Sequence, residues 1–395
     1  MPHPQSKGRL RALGVATAGI AALYMGLTAY DKPESLVRAL MIPTMRLLPA
    51  ETGCNLALLA CKYRLYPASN YEDNVNLRTK FFGCDISNPI GLAAGFDRNG
   101  EAVHGLNDLG FGFIEIGSVT PLAQKGSPRS RIFRLSADRA IINRNSIDSD
   151  GYQAVAERLR RLRQTDGFNA VVGVNLERNY SSNTPVIDYM AGVKTFGPVA
   201  DYLVINYSNA KDQGYNANSK NQLIELLEAV NIERAQLKPI KYVPILLKLS
   251  PDMTLDEMKD VAAVIDMSTC KVDGLIVSNA TMTRDNVSTS KKSQEEGALS
   301  GEPLRQRSTT MIAQMYQLIN NSVPIIGVGG ISSGQDAYEK IEAGASYLQI
   351  YTAFVFDGPD LVDRIKSELS DCITEMGYEN VQEAIGSNYK RYLPA

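Results

Sequence analysis

The chain has 395 residues, of which 44% are hydrophobic and 21% charged, a balance typical of globular proteins. Its 41 Lys and Arg residues offset its 43 Asp and Glu residues to a net charge of −2, which gives no support to nucleic-acid binding, since that would need a concentrated basic field. Two histidines are too few for a His-rich metal site, and five scattered cysteines without a CxxC pair argue against structural zinc and disulfides.

Residues 1–31 are predicted to be a basic tail followed by a membrane anchor. The tail carries Lys7, Arg9 and Arg11, and the nineteen residues 12–30 are uncharged. A helix of that length would span roughly 28 Å, about one bilayer core. A single anchor, a cleaved secretory signal and a mitochondrial presequence leading into an anchor are the alternatives. Unpaired cysteines disfavour secretion, so we expect a single-pass protein of the mitochondrial inner membrane. Its basic tail would stay in the matrix and its main domain would face the intermembrane space.

Residues 32–68 are predicted to form a helical hairpin, interrupted between Pro43 and Pro49. Leucines recur at helical spacing among basic residues such as Arg38 and Arg64. This segment is either a cap packed on the main domain or a membrane-surface element that binds inner-membrane lipid and admits a lipophilic ligand. The anchor upstream makes the two interpretations compatible.

Residues 69–395 are predicted to form one domain of alternating strands and helices. The candidate strands cover residues 89–96, 113–119, 170–176, 202–208, 243–250, 274–280, 324–331 and 347–354. The amphipathic segments between them cover residues 151–165, 221–237, 255–266, 304–320 and 335–343. Eight strand–helix units predict an α/β fold, the (β/α)8 TIM barrel. An open doubly wound sheet is the main alternative, but no GxGxxG motif opens the first helix.

In such a barrel the chemistry lies at the carboxyl ends of the strands. Gly329 and Gly330 close the seventh strand, shortly before a helix expected near residue 334. Gly301, in a loop after the sixth strand, could add backbone donors, and together these residues predict a phosphate site. Lys248 ends the fifth strand, where burial without a negative partner would be costly. No carboxylate partner is evident in the sequence, so a bound anionic cofactor is predicted to be its partner.

Five sequence segments carry a resemblance to a known family. They are GLAAG at 91–95 with Phe96 and Asp97 after it, FGFIEIGSVTP at 111–121, RSRIFRL at 129–135, GLIV at 274–277 and PIIGVGGISSGQ at 324–335. From anchor to carboxyl terminus the chain resembles the class 2, quinone-dependent dihydroorotate dehydrogenases. The resemblance implies an FMN flavoprotein of the inner mitochondrial membrane that serves pyrimidine biosynthesis. Such a protein oxidises dihydroorotate, a small anionic substrate, to orotate and passes the electrons to ubiquinone.

The same resemblance implies a set of site residues. FMN would contact Ala93, Ala94, Gly95, Ser118, Asn143, Asn175, Lys248, Ser278, Gly301, Gly329, Gly330, Tyr351 and Thr352. All but Ser278 match the usual residue type of the family. Lys248 would stabilise negative charge on the reduced flavin ring. The substrate side would include Asn143, Asn206 and Asn279, and the quinone side Arg46, Arg134 and Tyr351. Arg46, Cys54 and Val355 depart from the more usual residues there.

The substrate face departs from the family pattern more than the cofactor loops do. The departures are Arg98, Asn145, Asp148, Asn209, Lys211 and Ala280. Asn209 occupies the position of the usual serine base, and a carboxamide has no basic lone pair with which to take a carbon-bound proton. Arg98 replaces a lysine beside the substrate, keeping the charge but changing reach and geometry. We therefore expect the family's catalysis to be altered or lost.

Three functions remain open at the level of the sequence. The first is an active quinone-linked dihydroorotate dehydrogenase, with Asp148, Lys211 or Asp212 as the replacement base. The second is a catalytically silent FMN-binding subunit of a larger mitochondrial inner-membrane assembly. The third is a flavoprotein that oxidises another small anion, bound by Arg98 and Lys211.

Overall fold

The computed structural model describes residues 47–128, 131–144, 147–207, 219–237, 242–288 and 290–394. Several sequence predictions lie outside these residues: the anchor at 12–30, the first hairpin helix, Arg46, Asn145, Asn209, Lys211 and Asp212. Residues 50–395 form one compact unit. Within the described ranges, no helix has both the length and the apolar character needed to cross a membrane.

The described residues contain thirteen strands. In chain order they are β1 Thr79–Phe81, β2 Cys84–Ile86, β3 Ile90–Leu92, β4 Phe113–Val119, β5 Ile132–Leu135, β6 Ala140–Asn143, β7 Val172–Leu176, β8 Tyr202–Tyr207, β9 Ile245–Leu249, β10 Gly274–Val277, β11 Ala298–Gly301, β12 Ile325–Val328 and β13 Tyr347–Ile350. Eight of them pair in parallel in the order β3-β4-β7-β8-β9-β10-β12-β13 and close into a barrel. The predicted (β/α)8 barrel is therefore confirmed, and closure rules out the open doubly wound sheet.

Ten α-helices are found in the same ranges. They are α1 Ala50–Lys62, α2 Val103–Asn107, α3 Tyr152–Arg163, α4 Pro185–Phe196, α5 Lys220–Gln236, α6 Leu255–Asp266, α7 Arg305–Leu318, α8 Gly334–Glu342, α9 Thr352–Asp357 and α10 Asp360–Glu375. The five predicted barrel helices correspond to α3, α5, α6, α7 and α8. Helix α6 begins with a capping box, in which Thr254 Oγ1 accepts from Glu257 N and the Glu257 carboxylate accepts from Thr254 N.

Aromatic residues close the amino-terminal end of the barrel. The β1–β2 hairpin places Phe81 against Phe113, Tyr202 and Tyr347, at ring-centroid distances of 4.3, 5.1 and 4.7 Å. These rings belong to one buried cluster with inward-facing residues of the barrel strands. Side chains therefore fill the barrel interior at this end, and the chemistry of such a barrel belongs at the opposite, carboxyl ends of the strands.

A second sheet lies beside those carboxyl ends. Strand β6 pairs antiparallel with both β5 and β11, which brings Gly301 opposite Ala140. The sequence predicted a loop around Ser300 and Gly301, and the structure corrects this to a strand. The short polar segment is stabilised as a strand because β6 supplies backbone partners that are distant in the sequence.

Helix α1 is the described part of the predicted hairpin. Its inner face buries Ala60 and Cys61, whereas Leu56 and Leu59 on the other face are 40% and 44% exposed. At its carboxyl end, Lys62 Nζ pairs with Glu101 Oε1 at 2.9 Å, close to α2. The helix is therefore packed on the barrel while it leaves apolar side chains exposed.

Candidate functional site

A cavity opens at the carboxyl ends of the barrel strands. All thirteen residues assigned to FMN by resemblance line it: Ala93, Ala94, Gly95, Ser118, Asn143, Asn175, Lys248, Ser278, Gly301, Gly329, Gly330, Tyr351 and Thr352. The substrate-side residues Arg98, Asn206, Asn279 and Ala280 line the same cavity. The fold thus brings together residues that end, or directly follow, each of the eight barrel strands, which the sequence had suggested only by their positions at strand ends.

The floor of the cavity is built around a fully buried carboxylate, Glu115 of β4. Its Oε1 accepts from Asn175 Nδ2 at 2.8 Å and lies 3.5 Å from Lys248 Nζ, and its Oε2 accepts from Gln349 Nε2 at 2.7 Å. Ser118 Oγ donates to Asn175 Oδ1 at 2.6 Å, which extends the network to the cavity wall. The expectation that Lys248 has no carboxylate partner is therefore wrong.

Sequence reasoning missed Glu115 and Gln349, although both carry a recognisable signal. Each is a polar residue within an otherwise apolar strand, in FIEIGSV and YLQI. A charged residue inside a barrel must find a partner there, since an unpaired buried charge is costly. Two such residues on different strands therefore predict an interior polar network.

The substrate-side amides form a second hydrogen-bonded group. Asn279 Nδ2 donates to Asn206 Oδ1 at 3.2 Å, and Asn206 Nδ2 donates to Glu177 Oε2 at 2.8 Å. The buried Glu177 carboxylate also accepts from Tyr189 Oη at 3.1 Å. Glu177, which sequence reasoning missed, therefore fixes the amide orientation of Asn206, because only the nitrogen end can face a carboxylate.

Arg98 supplies positive charge to the cavity wall from the loop between β3 and α2. The preceding residue, Asp97, is fully buried, and its carboxylate accepts from Glu101 N at 2.9 Å and Ala102 N at 2.7 Å. Burial raises the pKa of Asp97, although these backbone donors oppose the shift. The side chain of Asp97 thus anchors the loop that carries Arg98.

Asp148 does not line the cavity. Its Oδ2 lies 3.5 Å from Arg131 Nη1, and Arg131 Nε in turn donates to Glu51 Oε1 of α1 at 3.0 Å. The side chain of Asp148 is 44% exposed. The structure therefore places this candidate base in an ion-pair cluster with α1 rather than on the cavity wall.

Of the predicted quinone-side residues, Arg134 and Tyr351 are described, and both lie close enough to Cys54 of α1 to interact with it electrostatically. Burial raises the pKa of the Cys54 thiol, and the neighbouring Arg134 and Arg98 guanidinium groups oppose that shift. Burial likewise raises the pKa of Tyr351 to about 12, and nearby Cys54 adds to the effect. Tyr351 therefore stays neutral at physiological pH, between the main cavity and the helix.

The phosphate end of the cavity combines glycine loops with hydroxyl groups. A Cβ atom at Gly330, where φ is +70°, would lie 2.5 Å from Arg305 Cβ, so the loop can pack this closely against the start of α7 only because residue 330 has no side chain. Thr352 Oγ1 donates to Ser300 Oγ at 2.8 Å on the opposite wall. This shape suits a compact anion held by backbone N–H groups.

The start of α8, which the sequence predicted beside the phosphate site, uses two of its N–H groups within the protein. Asp336 N donates to Ser333 Oγ at 3.2 Å, and Gly334 N donates to Glu368 Oε2 at 2.6 Å. These N–H groups are satisfied within the protein.

Comparison with known proteins identifies the family. The chain matches the dihydroorotate dehydrogenase family profile over residues 76–373. It is 43% identical over 372 residues to "Dihydroorotate dehydrogenase (quinone), mitochondrial" of Mus musculus, covering 92% of this chain and 93% of the relative. A quinone dihydroorotate dehydrogenase of Rhodospirillum rubrum is 41% identical over 348 residues, covering 87% and 92%.

Solved structures agree with the sequence relatives. Ligand-free DHODH of Eimeria tenella superposes with a TM-score of 0.80 at 36% identity, covering 86% of this chain and 99% of that one. The complex of the same organism's DHODH with ferulenol also gives a TM-score of 0.80, at 35% identity and with 86% and 96% coverage. This chain therefore belongs to the dihydroorotate dehydrogenase family, and the relatives it matches are quinone-dependent members.

Proposed function

We propose that this chain is an FMN flavoprotein that oxidises dihydroorotate to orotate and passes the electrons to ubiquinone, at the mitochondrial inner membrane. One observation carries the proposal: all thirteen residues assigned to FMN line a single cavity at the carboxyl ends of the barrel strands. The names of the relatives, quinone dehydrogenases of dihydroorotate, support the choice of substrate and acceptor.

The cavity suits FMN at both of its ends. The glycine loops at Gly301 and Gly329–Gly330, with Thr352, line one end of the cavity, where their backbone N–H groups would hold the phosphate. Lys248 offers a cation at the opposite, deeper end, where the pyrimidine part of the flavin would lie. When bound, FMN supplies the hydride-accepting ring.

The residues of this chain then bind and orient the substrate. Arg98 brings a guanidinium that can bind the carboxylate of dihydroorotate. Asn206 and Asn279 are hydrogen-bonded to each other, and Glu177 fixes the first of them, so their amides are held in place before substrate arrives. Such preorganised donors and acceptors lower the entropic cost of placing the substrate against the ring.

The membrane arrangement is part of the proposal. Residues 12–30 would anchor the chain, and the exposed Leu56 and Leu59 of α1 would lie in the membrane surface. Cys54, Arg134 and Tyr351 on the inner side of α1 would meet ubiquinone. The chain then has three parts: an anchor at 1–31, a hairpin at 32–68 and an FMN-binding barrel at 69–395.

A second candidate function is favoured by one observation, the residue at the base position. Asn209 cannot take the proton from carbon, and a missing general base costs about 10²–10⁴ in rate. Asp148, a possible replacement, pairs with Arg131 away from the cavity. The second candidate is a silent FMN-binding subunit of an inner-membrane assembly.

An anaerobic flavin-reduction assay distinguishes the two functions. Full-length, detergent-solubilised protein should be yellow, and dihydroorotate should bleach its flavin absorbance if the chain is an active dehydrogenase. Adding a ubiquinone analogue should then restore the colour. Yellow protein that dithionite bleaches and dihydroorotate does not would contradict the enzyme and support the silent subunit. A panel of other small anions in the same assay would reveal a different substrate.

A further inference from the structure

Lys340 of α8 is a buried cation behind the proposed phosphate site. Its side chain is fully buried, and its Nζ donates to Arg305 O at 3.3 Å, Ser308 Oγ at 3.2 Å and Thr309 Oγ1 at 3.0 Å. All three acceptors belong to the first turns of α7. Within the described parts of the chain, no carboxylate lies within ion-pairing distance of this ammonium group.

This placement is energetically costly for a lysine. Burial lowers the pKa of Lys340 to about 7; Asp336 and Glu339 on its own helix oppose the shift, and Arg305 of α7 reinforces it. Three neutral oxygen acceptors replace the water of the ammonium group but bring no negative charge. An anion bound nearby would therefore stabilise the charged form of this group.

The acceptors of Lys340 are the residues that shape the glycine loop. Ser308 Oγ donates to Val328 O, at the end of β12 and directly before Gly329. A Cβ atom at Gly329 would lie 3.1 Å from Ser308 Cβ, and one at Gly330 would lie 2.5 Å from Arg305 Cβ. One chain of contacts therefore runs from Lys340 through the start of α7 to the loop.

We propose that Lys340 is a positioning residue for a phosphate monoester at this end of the cavity. Its ammonium holds the first turns of α7 against the Gly329–Gly330 loop and places a buried positive charge behind that loop. In a water-poor interior this charge stabilises a bound dianion more than it would at the surface. The inference rests on the proposed function, in which the anion is the phosphate of FMN.

Binding of FMN should be coupled to the protonation of Lys340. A phosphate bound in front of the loop favours the charged form of Lys340 and raises its pKa above the value near 7 of the flavin-free protein. The protein therefore takes up a proton when it binds FMN, and FMN affinity falls as pH rises from about 7. Riboflavin, which lacks the phosphate, produces no such coupling.

The test compares FMN with riboflavin on full-length, detergent-solubilised protein by fluorescence titration. Lys340→Met should weaken FMN binding by about tenfold or more, the scale of one lost charge interaction in a protein interior, and leave riboflavin binding within about twofold. It should also abolish the fall in FMN affinity above pH 7. Ser308→Ala, which keeps the cation but cuts the link to Val328, should weaken FMN selectively as well.

Lys366→Met is the matched control, because Lys366 is also buried but pairs with Asp73 at 2.8 Å and Asp363 at 2.9 Å. It should leave the ratio of FMN to riboflavin affinity unchanged. Equal weakening of both flavins in Lys340→Met would overturn the proposal and leave Lys340 a merely structural residue. If Lys340→Met fails to fold, Ser308→Ala decides by the same ratio. Wild-type protein that binds both flavins equally would instead overturn the phosphate placement in the proposed function.

Discussion

At the scale of single residues, the pairing of Lys248 with Glu115 decides how much charge reaches the cavity. Both groups are buried, 3.5 Å apart, and the carboxylate is further held by Asn175 and Gln349. Because Glu115 partly neutralises its charge, Lys248 produces a weaker positive field in the cavity than an unpaired lysine would. The pair therefore sets the electrostatic environment of anything bound above it.

We expect Glu115→Gln to raise the reduction potential of the bound flavin, because it removes a negative charge that opposes the reduced, anionic ring. It should also lower the free energy of unfolding by about 3–5 kcal/mol, since it leaves Lys248 buried without a partner. Spectroelectrochemical titration and urea unfolding measure the two effects.

Glu342→Gln serves as the control for this change. Glu342 is also buried, but its carboxylate accepts from Asn388 Nδ2 at 3.3 Å and from Tyr392 Oη rather than from residues of the cavity. Glu342→Gln should leave the reduction potential of the bound flavin unchanged. A Glu115→Gln potential equal to or below that of the wild type would contradict the electrostatic role.

The substrate face yields a second prediction at this scale. Repair of the departures by Asn209→Ser, Ala210→Pro, Lys211→Asn, Arg98→Lys and Ala280→Thr together should raise the rate of flavin reduction by dihydroorotate. Asn209→Ser alone should restore little, because positioning and proton transfer act as a unit and single repairs are strongly non-additive.

Stopped-flow measurement of flavin absorbance compares the single and combined variants. If the unmodified protein already reduces its flavin at ordinary enzyme rates, about 1–10³ s⁻¹, the silent-subunit function is wrong and another base is at work. In that case Asp212→Asn and Lys211→Met are the next variants to test, because Asp148 pairs with Arg131 away from the cavity.

At the scale of elements, the loop after β12 carries the phosphate site. We expect Gly330→Asp to abolish flavin content, because the new side chain meets Arg305 at 2.5 Å and brings negative charge to an anion site. Flavin released on denaturation, per mole of purified protein, is the measurement.

Gly167→Asp is a matched control for the strain that a residue other than glycine has at positive φ. Gly167 has a similar φ of +75°, against +70° at Gly330, but a Cβ atom there meets nothing within 4 Å. This variant should keep its flavin despite the same strained conformation. Stoichiometric flavin in Gly330→Asp would place the phosphate elsewhere.

At the scale of the whole molecule, membrane attachment is predicted to be separable from the barrel. Deletion of residues 1–31 should release the chain from carbonate-washed membranes and leave the barrel folded, because every barrel strand lies beyond residue 89. Sedimentation and circular dichroism check the two parts of this prediction.

Deletion of residues 1–11 alone is the control, because it removes the basic tail but keeps the apolar run at 12–30. That variant should stay in the membrane pellet. Retention of the longer truncation in the pellet would instead assign the attachment to residues 33–66, where Leu56 and Leu59 are exposed.

The sequence by itself determined the barrel and the place of its site. Apolar runs of strand length, alternating with helical periodicity, are local signals, and eight such units predict a parallel sheet covered by helices. The closed barrel was favoured over the open doubly wound sheet because no GxGxxG motif opens the first helix. The positions of Asn175, Lys248 and Gly330 at the ends of those runs follow from the same pattern, because the carboxyl ends of parallel strands meet at one edge.

Only the tertiary structure decided which buried groups pair. Glu115 and Lys248 are 133 residues apart in the chain, and no local pattern relates them. In the sequence, Lys340 lies on an amphipathic helix and cannot be distinguished from a solvent-exposed lysine. Only packing against α7 buries its side chain. Strand β11 likewise exists because β6 supplies its hydrogen bonds. The periodicity of the sequence determines which face of a helix or strand is buried. The partners of a buried charged side chain lie on elements distant in the sequence, which come together only when the chain folds.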